Sequence, residues 1–414
     1  MKTEKSESLT EKEKTRQAEA LMMAFAERTG LSSSTPATRY LWTDSFAVCN
    51  FLGLSRAVGD EKYRELATTL VYQIHRTLGR HRPDDSRKGW LSKLSEEEGR
   101  KHPTLVGLRI GKPLPEGDFI GRPADDLEWD RDGQYFHYLT KWMHALDITA
   151  RDTCRLHYSR WARELARTAR KAFVYQDQTG RLRMYWKMSI DLSRPMVHAM
   201  GQHDPLDGYI TTQQLMATFQ EESSLCGSQV RDDDLDLDED LSIFAMMVQG
   251  HDWRTTDPLG LGGLLMDATR LMQLIRQGAS SDVDLLVELL RSAEAGLRYW
   301  ASPGALIQPP QQRLAFRELG LAIGLKGVIW MREDPATYNN SFIDGTNIPL
   351  QLDVVSQYLS LSESIISFWL EPGNRQSRTW TEHEDINAVM LATALSPRGF
   401  LILPGLGGDS DSRQ

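Results

Sequence analysis

Cysteine is scarce: the 414 residues contain three, Cys49, Cys154 and Cys226. An odd number of widely spaced cysteines builds no disulfide framework, so reduced thiols in a cytoplasmic protein are expected. Basic charge is also in short supply. Lys and Arg total 48 against 57 Asp and Glu, a formal net charge of −9, which leaves no broad basic face for nucleic acid. A membrane span needs about 18 consecutive apolar residues, and the nearest stretch, 319–331, is interrupted by Lys326. Residues 1–20 mix Lys and Glu without an apolar centre, unlike a secretory leader. The one glycine-rich stretch, Gly260-Leu261-Gly262-Gly263, follows no expected strand and so makes no phosphate loop. No cofactor is expected, and no nucleic-acid or membrane partner.

What the sequence does have is helical periodicity. Tyr63, Leu66, Ala67, Leu70, Val71, Ile74 and Leu78 recur at steps of three, one and four. Tyr158, Trp161, Ala162, Leu165, Ala166, Ala169 and Phe173 repeat the same steps. Each set is a stripe on one face of an amphipathic helix. Each also follows a segment apolar on nearly every side, 45–58 and 134–148. An all-round apolar helix is buried and a one-faced helix covers it, so the pairs are inner-then-outer hairpins. Asp204-Pro205-Leu206 and Asp257-Pro258-Leu259 place Asp and Pro where helices begin. Inner helices are expected to start near residues 44, 132, 204, 257, 318 and 384. Six such hairpins closed into a ring form an all-α (α/α)6 toroid, expected over residues 20–404, with disordered tails at 1–19 and 405–414. The uneven spacing of the starts argues against an open solenoid. Insertions at 81–127 and 176–203 suit loops that build one mouth of the ring, and 182–188 reads as a short strand.

In a toroid the inner-helix starts converge at that mouth. Here they are acidic: Asp44, Asp130, Asp132, Asp204, Asp207, Asp257, Glu318, Glu384 and Asp385. Each acid suits a helix start on its own account, but two carboxylates facing one pocket can also divide glycoside chemistry between a proton donor and a base or nucleophile. Asp44, after an aromatic residue at the head of a buried helix, is expected to be desolvated and to transfer the proton, with Asp130 or Asp132 as partner. Trp42, Trp90 and Trp129 are candidates to stack on sugar rings, with Trp186 and Trp253 left to the core. Arg131, Gln134, His203 and Asp204 complete the expected binding set. Lys187, beside Arg109 and Lys112, is a candidate cation for an anionic group. The partner these residues imply is a small-molecule carbohydrate.

Metal binding is not expected. Asp234-x-Asp236-x-Asp238 starts like a calcium loop, but Glu239 stands at the glycine position and Ala245 at the terminal glutamate. The run 232–240 therefore reads as a solvated acidic linker.

Two patches carry a resemblance. Trp42-Thr43-Asp44-Ser45-Phe46-Ala47-Val48, with Phe51-Leu52 and Gly59-Asp60-Glu61-Lys62-Tyr63, resembles a hairpin of the unsaturated glucuronyl and rhamnogalacturonyl hydrolases. Trp129-Asp130-Arg131-Asp132-Gly133-Gln134 resembles that family's Trp-x-Arg-Gly-Gln motif, with one extra residue before the glycine. The resemblance implies a toroid hydrolase with Asp44 as general acid/base. Lys141-Trp142-Met143-His144-Ala145-Leu146-Asp147 is similar to a hairpin of the N-acylglucosamine 2-epimerases, also toroids. That group's later Pro-Gly-His motif meets Asp257-Pro258-Leu259-Gly260, where no His stands. The hydrolase is the leading expectation. The alternatives are an epimerase or isomerase, which requires two histidines such as His203 and His383 over one pocket, and a toroid that binds without turnover.

Overall fold

A segment that is apolar on every side can be satisfied only in an interior, and helices of this kind, with others that bury paired charges, form the inner ring of this fold. The computed structural model describes residues 9–117, 126–226, 235–302, 304–333 and 346–406. Its helices are α1 (Glu11–Arg28), α2 (Leu41–Val58), α3 (Lys62–Leu78), α4 (Glu96–Lys101), α5 (Phe136–Thr153), α6 (Leu156–Phe173), α7 (Asp204–Cys226) and α8 (Asp238–Val248). They continue with α9 (Pro258–Arg276), α10 (Val283–Trp300), α11 (Ala315–Glu333), α12 (Ile348–Ser356), α13 (Ser360–Leu370), α14 (Arg378–Thr381), α15 (Glu384–Leu395) and α16 (Arg398–Leu401).

Helices α2, α5, α7, α9, α11 and α15 pack each on the next, and α15 returns to α2. The ring is closed, as an (α/α)6 toroid requires. Helices α3, α6, α8 and α10 cover α2, α5, α7 and α9, while α12 and α13 together cover α11. The matched stripes are the buried faces of α3 and α6. No helix among the described residues is long and apolar enough to cross a membrane.

The sixth hairpin departs from expectation. Its outer helix is α1, which packs on α15 and begins at Glu11, inside the stretch 1–19 expected as a tail. Thr10 and Glu13 form a reciprocal capping box at its start. Ala18, Met22, Phe25 and Ala26 are the buried face. Charged residues fill the turns before that face, so the apolar stripe begins late. At the other end of the chain, residues 407–414 lie outside the described residues.

Two small sheets lie in the loops. The stretch 182–188, expected as one strand, forms two: β3 (Leu182–Met184) and β4 (Lys187–Met188). β3 pairs with β2 (Val174–Gln176), and β4 lies between β1 (Gln134–Tyr135) and β5 (Pro195–Val197), all antiparallel. The β1–β4 pairing sets the 186–188 segment beside the first turn of α5. Cys49 and Cys154 are free.

Helices α9 and α11 approach closely enough that a Cβ on Gly262 would overlap the Gly320 carbonyl, whereas one on neighbouring Gly263 would meet nothing within 4 Å. Overpacking against unyielding backbone costs about 1–3 kcal/mol, more than the roughly 1 kcal/mol that alanine's helix propensity returns. Thermal unfolding should therefore move in opposite directions: Gly262→Ala lowers Tm and Gly263→Ala raises it.

Candidate active site

The starts of five inner helices open on one cavity of about 860 Å³. The segment entering α2 supplies Tyr40, Trp42 and Thr43, and the segment entering α5 supplies Tyr135, His137 and Tyr138. Leu259 comes from α9, Phe316 and Arg317 from α11, and His383, Glu384 and Asp385 from the head of α15. Lys112, Trp129 and Trp186 enter from loops. The expected convergence of helix starts is present, but the residues that reach the space differ from those expected to.

Asp44 does not line the cavity. It is 1% exposed, and its carboxylate is taken up by Arg39 at 3.1 Å and the Tyr40 amide at 2.9 Å. Burial does push its carboxyl up, to about 6, against the pull of Arg39. The expected desolvation is there, yet the group has no route to a substrate. Asp132 is equally enclosed. It accepts from the amides of Gly111 (3.0 Å) and Gly133 (3.1 Å) and pairs with Arg109 and Arg82. It anchors the loop that carries Lys112. Asp130 is exposed and lies outside the cavity lining, as does Arg131.

The other expected binding residues divide. Trp42 and Trp129 line the cavity, and so does Trp186, which was assigned to the core. Trp90 is buried away from it, under Arg80. Gln134 spends its amide on Leu108, Val106 and Ile190 of the backbone. Lys187 is fully buried and bonded to Glu128 at 2.8 Å, so neither it nor Arg109 is offered to an anion. His203 bonds the Trp253 carbonyl at 3.0 Å and does not line the cavity.

His137 is the residue that sequence reasoning missed. Its ring runs near-parallel to those of Tyr135 (5.4 Å, 25°) and Trp186 (6.2 Å, 16°), which also touch each other at 5.3 Å, with the rings of Trp42 and Tyr138 edge-on. Burial in this aromatic box pushes the imidazole down to about 4. Nδ1 is buried without a hydrogen bond. It faces Asp204 Oδ1 at 3.7 Å. With Nδ1 turned to Asp204, Nε2 is the ring nitrogen left for the cavity, which His137 lines with 26% of its side chain accessible. The signal was available in Tyr135-Phe136-His137-Tyr138, an aromatic cluster at the head of an inner helix.

Asp204 sits beneath that ring, 4% exposed, its Oδ2 without a partner. Burial, reinforced by the neighbouring Asp207, raises its carboxyl to about 7. Burial acts on Asp207 too, but Lys141 at 2.7 Å and Arg270 at 2.9 Å outweigh it and hold Asp207 low. Asp204, whose carboxyl also meets the Gly201 backbone, and His137 thus each keep one buried polar atom unpartnered side by side, an arrangement that calls for an explanation.

The remaining acids of the cavity, Glu382, Glu384 and Asp385, belong to one short segment, and Arg28 pairs with the last two at 3.3 and 2.9 Å. Among the described residues no cluster of three or more His, Cys, Asp or Glu side chains is placed to hold a metal ion. Part of the acidic run 232–240 lies outside the described residues. Its later half is no linker, since α8 begins at Asp238 and Asp240 is buried on Arg170.

No family model matches the sequence, and no curated protein matches it. Among solved structures, the chain is similar to a GH76 alpha-mannanase of Bacteroides thetaiotaomicron, at 10% identity over 93% of this chain and 96% of that one, TM-score 0.50. It is also similar to a D-mannose isomerase, at 11% identity over 94% of this chain and all of the other, TM-score 0.49. At this identity the likeness concerns the fold, the (α/α)6 toroid.

Removing one partner of a buried ion pair costs about 3–5 kcal/mol, because the other charge is left unpaired. Asp44→Asn should therefore lower the unfolding free energy by that order in a denaturant titration, while activity per folded molecule stays as in the parent.

Proposed function

We propose that this chain is an enzyme of sugar metabolism, an isomerase or epimerase that moves a proton beside a carbonyl, with His137 as the base. The observation that carries the reading is a partly accessible His137, kept uncharged by burial, in the lining of a cavity walled by Trp42, Trp129, Trp186 and Tyr135, with its Nδ1 turned to Asp204. Flat aromatic faces suit the apolar faces of sugar rings. A neutral imidazole has a lone pair free to accept a proton, the first requirement of a general base.

In this reading Nε2 takes the proton from the carbon next to the carbonyl, and the C–H electron pair moves toward the carbonyl oxygen to give an enediolate. His383 is the second proton carrier. It enters the cavity from α15, on the other side of α2 from His137, and its ring rests edge-on to Phe316 at 5.9 Å. Two histidines over one pocket are what the epimerase alternative needed, with His137 in the place expected of His203.

The hydrolase expectation loses its main support, because Asp44 and Asp132 are enclosed in ion pairs. Among the described residues the carboxylates that line the space stand together, whereas hydrolysis needs two on opposite sides of the scissile bond. A toroid that only binds leaves the unsatisfied His137–Asp204 pair without a purpose.

The test is deuterium exchange. Reducing monosaccharides incubated with the protein in D₂O should gain deuterium at the carbon beside the carbonyl, read by proton NMR. His137→Asn should slow that exchange by about 10²–10⁴-fold, the usual contribution of a positioned general base. Release of new reducing ends from glycosides, with no exchange, would return the assignment to a hydrolase.

A further inference from the structure

Asp204 is the buried acid that this mechanism leaves unused. We propose that Asp204 is the positioning partner of His137 and holds the proton that the imidazole gives up at Nδ1. His137 then exchanges protons with the cavity by switching tautomer, without becoming an imidazolium. The proposal rests on the proton-transfer reading of the cavity and deepens it.

Geometry supplies the first argument. Nδ1 and Oδ1 are 3.7 Å apart, and Nδ1 and the carboxyl's other oxygen, Oδ2, are buried without a hydrogen bond. A contraction of about 1 Å, the size of a small side-chain rotation, brings them to hydrogen-bond distance. On its other side the carboxyl abuts the Gly201 backbone so closely that a Cβ there would overlap it. The space left to Asp204 is therefore toward the ring.

Electrostatics supplies the second. The rings of Tyr135, Trp186, Trp42 and Tyr138 packed around His137 displace much of its water, so charging the ring is costly. The charged groups acting on the pair are Lys141 of α5 and Asp207 of α7, the titratable rings of Tyr135 and Tyr138 touch His137, and Asp267 and Arg270 of α9 adjoin Asp207 one step further out. Of the two acids nearest the pair, Asp207 has its counter-charges in Lys141 and Arg270 and stays ionised. Its field disfavours a second carboxylate beside it, which leaves Asp204 as the group that accepts a proton.

The step balances. In the base form Asp204 is a carboxylate and His137 carries hydrogen on Nδ1. A proton arriving from the cavity forms Nε2–H as the donor's bond to it breaks, and Nδ1–H breaks as Oδ1–H forms. The pair gains one proton and loses one negative charge, and the ring is neutral before and after.

Long-range ¹H–¹⁵N NMR of histidine-labelled full-length protein reads this directly, with the His137 signals identified by their loss in His137→Asn. Between pH 5 and 9, Nδ1 should change from unprotonated to protonated with rising pH as Nε2 changes the opposite way, near neutrality. Asp204→Asn should abolish the exchange of tautomers. A ring that keeps one tautomer throughout, or becomes imidazolium in that range, overturns the proposal on the parent protein alone, whether or not the variant folds. An unchanged switch in Asp204→Asn overturns it too. No sugar is involved, so a failed switch leaves the isomerase reading to its own assay, and an absent sugar activity leaves the switch measurable.

Discussion

Helix α1 lies along α15, so the two ends of the described chain supply the two halves of the sixth hairpin. Asn50 of α2 ties the junction together. Its amide nitrogen donates to the Val389 carbonyl of α15 and reaches the Met22 sulfur of α1, and its oxygen accepts from Thr393. Met22 and Phe25 are buried there, and each such side chain contributes about 1.5–3 kcal/mol relative to exposure. Closure has a consequence for the site: it brings the head of α15, with His383, Glu384 and Asp385, to the cavity that α5 enters two places away around the ring.

A closed ring of helices leaves an axis to be filled, and this chain fills part of it with charge. Lys141, Asp207, Arg270 and Asp267 form one connected group, and Arg151 joins Asp147 to Glu221 further along. Buried charges of this kind repay their desolvation only when each is compensated. Around Asp207 the compensation is generous, with two cations and the Thr140 hydroxyl. One turn closer to the cavity it stops, at Asp204 and His137. The contrast lies within a single network, which is why the uncompensated pair reads as chemistry rather than as loose packing. The aromatic box around His137 sharpens that contrast, because water is kept from replacing the missing partners.

The architecture was legible in the sequence because helical periodicity is local. Apolar steps of three and four over eighteen residues state which face of a helix is buried, and an all-round apolar helix followed by a one-faced one states which is inside. Two of the six inner starts were located that way and two more by their Asp-Pro pairs, and Asp257 caps α9 as its pair suggested. Helix α1 escaped because its first turns are charged and its partner α15 is more than 350 residues away, beyond the reach of any local pattern.

Which acids face the cavity was decided by tertiary structure alone. Asp44 heads an inner helix as expected, but Arg39 turns back onto it. Asp132 is claimed by Arg82 and Arg109 from a loop whose course the sequence does not state. His137 and Asp204 are 67 residues apart and meet only because α5 and α7 are neighbours in the ring. A carboxylate's role depends on what lies within about 4 Å of it and on whether water can reach it. The sequence by itself determined the helices, their inner and outer faces and the end of the ring where their starts gather. Which side chains there were spent on one another and which were left free was set by packing, since burial and pairing are properties of neighbours in space.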